Sequence, residues 1–163
     1  MLKTIGNTPL VKIRYRYTQK INYIYAKLES YNLTGSIKDR VAYYILTKAK
    51  ERGDLNEGMP IIEATSGNTG ISLAALGKYY KHPVYIFMPD WVSCERAQII
   101  KSYGAEVITF SREQGGFKRC IKEAKNLAKK INGFYANQFA NQDNLLSQYE
   151  TTGQEILNVL QED

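Results

Sequence analysis

Two short stretches hold residue types that can do chemistry. The first is Thr34-Gly35-Ser36-Ile37-Lys38-Asp39-Arg40, which the apolar stripe Ile37, Val41, Ile45 and Ala49 places at the start of a helix. A cation in a first helical turn opposes the macrodipole, which prefers anions there. That field, with partial desolvation, lowers an amine's pKa and makes a lysine usable as a nucleophile in Schiff-base chemistry. Lys38 is therefore a candidate nucleophile. The second stretch is Thr65-Ser66-Gly67-Asn68-Thr69-Gly70, directly after an apolar strand and opening a helix. In α/β folds that position lies at the carboxyl edge of the sheet, where ligands bind. Small residues let a ligand approach the backbone, and the N–H groups of a helix start favour an anion, phosphate or carboxylate. The loop is neither a Walker A sequence nor GxGxxG, which argues against a nucleotide fold. Taken singly, the plainer readings are a solvated lysine and a capped turn without ligand.

The elements that must position these stretches follow from periodicity. Residues 10–15 and 24–29 alternate as strands, and turn chemistry makes 30–35 a loop. Ser36 reads as a helix cap with Asp39 three residues on, and Gly53 as the stop. Short strands follow at 60–64, 84–88, 106–110 and 134–136. Helices are expected from the 65–70 turn to about Lys81, over 93–103, over 117–132 and over 143–161. Thr151-Thr152-Gly153 weakens the middle of the last one. The Asn- and Gln-rich segment after Asn137 reads as a loop lining something polar. Strand–helix alternation with short connections predicts an α/β fold in three layers, a mostly parallel sheet flanked by helices.

Composition narrows the function classes. The chain has 163 residues, 44% hydrophobic and 23% charged, which suits a globular domain able to bury its own core. No apolar run approaches the ~18 residues of a membrane span, and the start lacks a signal-peptide pattern. Cys94 and Cys120 are far apart, so neither a metal cluster nor a disulfide framework is expected; reduced thiols and a cytoplasmic location are. The net charge of +6 is spread. Its densest stretch, Lys118 to Lys130, reads as the solvated face of an amphipathic helix rather than a nucleic-acid footprint. His82, the single histidine, reads as a turn residue, and the 13 tyrosines as packing. Gly115-Gly116 reads as a surface turn.

Together the two stretches are far more specific. Asn32-Leu33-Thr34-Gly35-Ser36-Ile37-Lys38-Asp39-Arg40 followed by Glu63-Ala64 and the 65–70 loop resembles the cysteine synthase (O-acetylserine sulfhydrylase) and cystathionine β-synthase family. These are fold type II pyridoxal-phosphate enzymes. Ile5-Gly6-Asn7-Thr8-Pro9-Leu10-Val11, Ser93-Cys94-Glu95-Arg96, Asn137-Gln138-Phe139 and Glu150-Thr151-Thr152-Gly153-Gln154-Glu155-Ile156 extend the resemblance along the chain. It implies that Lys38 is the lysine that takes pyridoxal 5'-phosphate covalently and later moves the substrate's α-proton. Asn68 matches the asparagine at the cofactor's phenolic oxygen. Thr65, Ser66, Gly67 and Thr69 match the loop that grips the substrate's α-carboxylate, and Gln138 contacts the same group. The implied reaction is β-replacement, O-acetylserine plus sulfide to cysteine plus acetate. Leu33, Ala64 and Trp91-Val92 depart from the usual family residues.

The resemblance also implies an N-terminal half. Family members are about twice this length, and the glycine-rich loop for the cofactor phosphate has no counterpart here. The expected organisation is 1–35, strands that in the family pack on the large domain; 36–145, a small α/β domain; and 146–163, the start of the large domain. Val11, Ile13, Ile24, Ala26 and Leu28 are then expected to pair with a second copy or a separate C-terminal half. Weak or no activity is expected of the chain alone. The alternatives are a non-catalytic remnant binding amino acids or peptides, such as the serine acetyltransferase C-terminal peptide that full-length relatives dock, and cystathionine-forming activity.

Overall fold

The computed structural model describes residues 2–161; the expected boundaries at residues 1 and 163 lie outside the described residues. Two sheets form. Strands β1 (Leu10–Tyr17) and β2 (Lys20–Lys27) make an antiparallel hairpin that, among the described residues, pairs only with itself. The second sheet is parallel throughout, in the order β5-β4-β3-β6, from β3 (Ile61–Ala64), β4 (Val84–Pro89), β5 (Glu106–Phe110) and β6 (Phe134–Tyr135). The expected three-layer α/β architecture is present.

Helices cover both faces because the strands are apolar on both, as buried parallel strands must be. On one side, α1 (Lys38–Arg52) and α2 (Asn68–Tyr80) contribute Val41, Ile45, Leu46, Leu73 and Leu76 to a core with Ile61, Ile86 and Met88; α3 (Cys94–Ser102) adds Ile100. On the other, α4 (Gly116–Lys130) lays Cys120, Ala124 and Ala128 against Ile62, Ala64 and Phe87. Its lysines face solvent, as its periodicity predicts. Among the described residues no helix is long and apolar enough to cross a membrane.

Several local expectations change. The hairpin strands are longer than the alternation suggested, because Thr18 and Gln19 both take positive φ and close a two-residue turn. Glu29 leaves the strand and enters a 3-10 turn over Glu29–Tyr31. The capping box at α1 does not form: Asp39 accepts from the Thr34 amide and hydroxyl, each at 2.6 Å, while Ser36 Oγ accepts only from the Lys38 amide at 3.2 Å. The polar segment after Asn137 is not all loop, for α5 (Gln142–Ser147) starts on Asn141, whose side chain accepts from the Asp143 amide. Thr151-Thr152-Gly153 falls in a π-helical turn, Gln148–Gly153, that leads into α6 (Gln154–Gln161). Gly116 is buried beneath Trp91 rather than at the surface. His82 occupies a turn as expected, its Nδ1 2.9 Å from the Met59 carbonyl.

A charged cluster ties the chain's first and last elements to α1. Arg40, 2% exposed, bonds Glu29 through Nε at 2.7 Å and Glu155 of α6 through Nη1 at 2.6 Å. Glu155 also accepts from Lys27 and from the Asn7 amide, and Thr8 bonds Glu29. The buried guanidinium therefore lies between two carboxylates with further hydrogen bonds, the arrangement a buried charge requires.

Candidate active site

Strand β3 ends at Ala64, and the next three residues carry the chain over the carboxyl edge of the sheet into α2. Thr65 is buried there; its amide donates to the Phe87 carbonyl at 2.9 Å, and its hydroxyl accepts from the Gly67 amide at 3.2 Å. The turn is tight because α2 packs directly on the strands. A Cβ on Gly70 would stand 2.8 Å from Thr65 Cγ2 and 3.0 Å from Ile100 Cδ1. Ser66 and Asn68 project into solvent at the rim. The first amides of α2 have no intrahelical acceptors, so the rim presents donors suited to an anion.

Lys38 opens α1 beside this loop and is half-buried. Its neighbours hold it in place: Asp39 anchors the 34–35 turn, and Arg40 sits in the charged cluster. The Thr34 hydroxyl lies 3.3 Å from the Ser72 hydroxyl, linking the starts of α1 and α2. The third wall comes from the far edge strand. After β6 the chain turns at Asn137, with φ +50, and returns Gln138 to the cleft. There Gln138 Oε1 accepts from Thr69 Oγ1 at 2.6 Å.

All seven residues picked out in the sequence, Lys38, Thr65, Ser66, Gly67, Asn68, Thr69 and Gln138, line one cleft of about 500 Å³. Arg96, Phe139 and Asn144 line it too and were not singled out. Arg96 comes from the helix after β4 and lies so close to Gly67 that a Cβ there would be 2.9 Å from its Cδ. The signal was available, since Ser93 to Arg96 follows a strand at the same sheet edge. Asn144 Nδ2 donates to the Gln138 carbonyl at 2.9 Å, a contact that needs the fold of α5 to be known. Phe139 is exposed and meets Phe117 edge-on at 5.9 Å between centroids. A second cavity of about 330 Å³ lies between α1 and the π-helical turn, over the Arg40–Glu155 pair. Among its lining groups Arg40 pairs with Glu155, and Glu150 accepts from the Tyr44 hydroxyl.

The sequence matches the pyridoxal-phosphate dependent enzyme family over residues 1–163. The chain belongs to this family. Within it, the chain is 41% identical over 154 residues to cysteine synthase B of Escherichia coli, covering 94% of this chain and 50% of that protein. A solved hydrogen sulfide-producing enzyme from Fusobacterium nucleatum is 45% identical and superposes with a TM-score of 0.95, over 98% of this chain and 48% of that one. Cysteine synthase from Entamoeba histolytica is 40% identical with a TM-score of 0.87, over 98% and 48%. The chain thus spans about half the length of these relatives.

The residues present fit one wall of a pyridoxal-phosphate site. Lys38 offers an amine engaged in no ion pair among the described residues, and Asn68 offers an amide at the rim. The glycine pair at 115–116 does not line the cleft; it starts α4 under Trp91.

Proposed function

We propose that the chain supplies the lysine-bearing half of a pyridoxal-phosphate site for β-replacement on a small amino acid, as in cysteine synthases. The observation that carries this reading is the convergence of Lys38, the 65–69 loop and Gln138 on one cleft from three separate elements. Lys38 would hold the cofactor covalently, and Asn68 would meet its ring oxygen. When bound, the cofactor supplies the electron sink for cleavage beside the amino group. Thr65, Ser66, Gly67, Thr69 and Gln138 bind the substrate's carboxylate and so orient its Cα–H toward the lysine. Lys38 Nζ, displaced from the cofactor by the substrate's own amine, would accept the α-proton; acetate would leave the β-carbon and sulfide would add there. O-acetylserine and sulfide are the substrates this reading favours.

The remaining wall is supplied in this proposal by a C-terminal half, on the same polypeptide or another, or by a second copy. Residues 1–35 and 146–163 belong with that part, and 36–145 form the small domain. The isolation of the β1–β2 hairpin from the parallel sheet supports this division. A second reading, release of sulfide from a thiol-bearing amino acid, draws support from the likeness to the Fusobacterium nucleatum enzyme.

The test is a titration of the purified chain with pyridoxal 5'-phosphate, followed by visible absorbance, borohydride reduction and peptide mapping. A saturable band with the label on Lys38 is expected, and its loss in Lys38→Ala. An unchanged band in the variant would overturn the reading, and label scattered over the 15 lysines would mean that the chain needs its remaining wall to hold the cofactor.

A further inference from the structure

Strand β6 is only two residues long, and the place where it stops is bridged by a buried acid. Its ladder with β3 runs through Phe134 amide to Pro60 carbonyl at 2.8 Å and Ala136 amide to Ile62 carbonyl at 3.0 Å. The two-residue repeat of a parallel ladder would next join the Gln138 amide to the Ala64 carbonyl, and the Ala64 amide to the Ala136 carbonyl. None of these bonds forms, because Asn137 turns the chain away. All four groups are satisfied otherwise. Glu63 Oε1 accepts from the Ala64 amide at 2.7 Å, and Glu63 Oε2 from the Gln138 amide at 3.0 Å. The Ala64 carbonyl takes Gln138 Nε2 at 3.4 Å, and the Ala136 carbonyl takes Asn141 Nδ2 at 2.9 Å.

One carboxylate therefore replaces a rung of the sheet, at the level where β3 and β6 each leave it to form a wall of the cleft. We infer that Glu63 is a positioning residue whose carboxylate sets the separation between the 65–69 loop and Gln138. The inference rests on the proposed carboxylate-binding role of those two walls. An acid does here what no other side chain can, because only a carboxylate offers two acceptor oxygens and no donor to two facing amides. A buried carboxylate without a cation is costly, so its retention in an otherwise apolar strand calls for a return elsewhere. No cation reaches it among the described residues.

The groups able to titrate with Glu63 are few. On the elements packed against β3 these are Tyr85 of β4, Tyr135 of β6, and Cys120 with the solvent-facing basic residues of α4. Lys78, Tyr79 and Tyr80 lie at the distal end of α2. Among the described residues Tyr135 is the titratable group that responds to its charge, and that phenol is pushed by burial, then by Glu63, up to about 12.

The test follows the Ala64 and Gln138 amides of the whole chain by NMR over roughly pH 3 to 9, with L-serine titrated as the carboxylate probe. Both amides are expected to shift together with one midpoint, raised above the ordinary 4.5 by burial of Glu63. In Glu63→Gln, which keeps one acceptor and sets a donor against an amide, the joint shift disappears and L-serine binds about tenfold more weakly. The pH titration of the unaltered chain reads the bridge even if that variant does not fold. Amides that stay fixed across the range, or a folded Glu63→Gln that binds L-serine as tightly as the parent, would overturn the inference. Joint titration with no L-serine binding at any pH would support the bridge and sink the carboxylate-cradle reading instead.

Discussion

Glu63 and Glu155 move in opposite directions with pH. Burial drives the Glu63 carboxyl up to about 7, and the Gln138 and Ala64 amides offset this only in part. The folded chain therefore holds a proton that the unfolded chain has lost, between the ordinary 4.5 and about 7. The stability this contributes is fully present below 4.5 and is lost as pH rises through 7, about 3 kcal/mol at ~1.4 kcal/mol per pH unit. Urea unfolding at pH 5 and pH 8 checks it: the parent should lose about 3 kcal/mol more across that interval than Glu63→Gln does. Glu155 carries the other sign. Burial alone would raise it, but Arg40, then Lys27 and the Asn7 amide, hold it down to about 2. Its contribution is present above the ordinary 4.5 and disappears as pH falls toward 2. The helix start at Lys38 was legible from the stripe Ile37, Val41, Ile45 and Ala49, whereas its grouping with the 65–69 loop followed from the family resemblance and not from local spacing. Glu63 was not legible, since an acid inside a short apolar strand gives no sign of what it bonds until the neighbouring strand is known.

At the scale of elements, the clearest test is the seat of α2. Gly70→Ala would push a methyl against Thr65, Ile100 and Ile86, at 2.8 to 3.2 Å. The expected cost is about 1–3 kcal/mol in denaturant unfolding, with weaker ligand binding because Thr65 is displaced. The charged cluster gives a second test. Arg40→Met takes the guanidinium from the partly buried Glu29 and leaves Glu155 with Lys27 alone, and should destabilise the chain by about 3 kcal/mol at neutral pH. That cost should shrink as pH falls below about 4.5, where the carboxylates deprived of Arg40 protonate in the variant; an unchanged cost at pH 3 would count against the pairing. The order of strands and helices was readable from periodicity, because the apolar patterns change from period two to 3.6 cleanly. The hairpin turn was not, as Thr18 and Gln19 are poor advertisements for positive φ. The cap of α1 was misread for a similar reason: Asp39 finds the nearer amide and hydroxyl of Thr34, and local spacing cannot rank the two partners.

For the whole molecule, the hairpin decides behaviour in solution. One of its faces carries Val11, Ile13, Ile24 and Ala26 in register, with Ile13 46% and Ile24 54% exposed, and Leu157 of α6 is also half open. Exposed apolar surface of this kind associates. Light scattering should give a mass above the monomer that rises with concentration, and Ile13→Lys with Ile24→Lys should return it to the monomer value. A parent chain that stays monomeric throughout would refute this. The Arg40–Glu155 pair has a consequence in time as well as space. Its partners are 115 residues apart, so it cannot close before residue 155 has been made. At ~5–20 residues per second, a ribosome that has released Arg40 takes roughly 6–23 seconds to deliver its last acceptor. Until then the first helix has no complete counter-charge for its guanidinium, and the N-terminal loop, the hairpin base and the lysine beside it lack their final anchor. Arg40, made early, is therefore anchored in full only after residue 155 has been made, and the start of α1 that carries Lys38 waits with it.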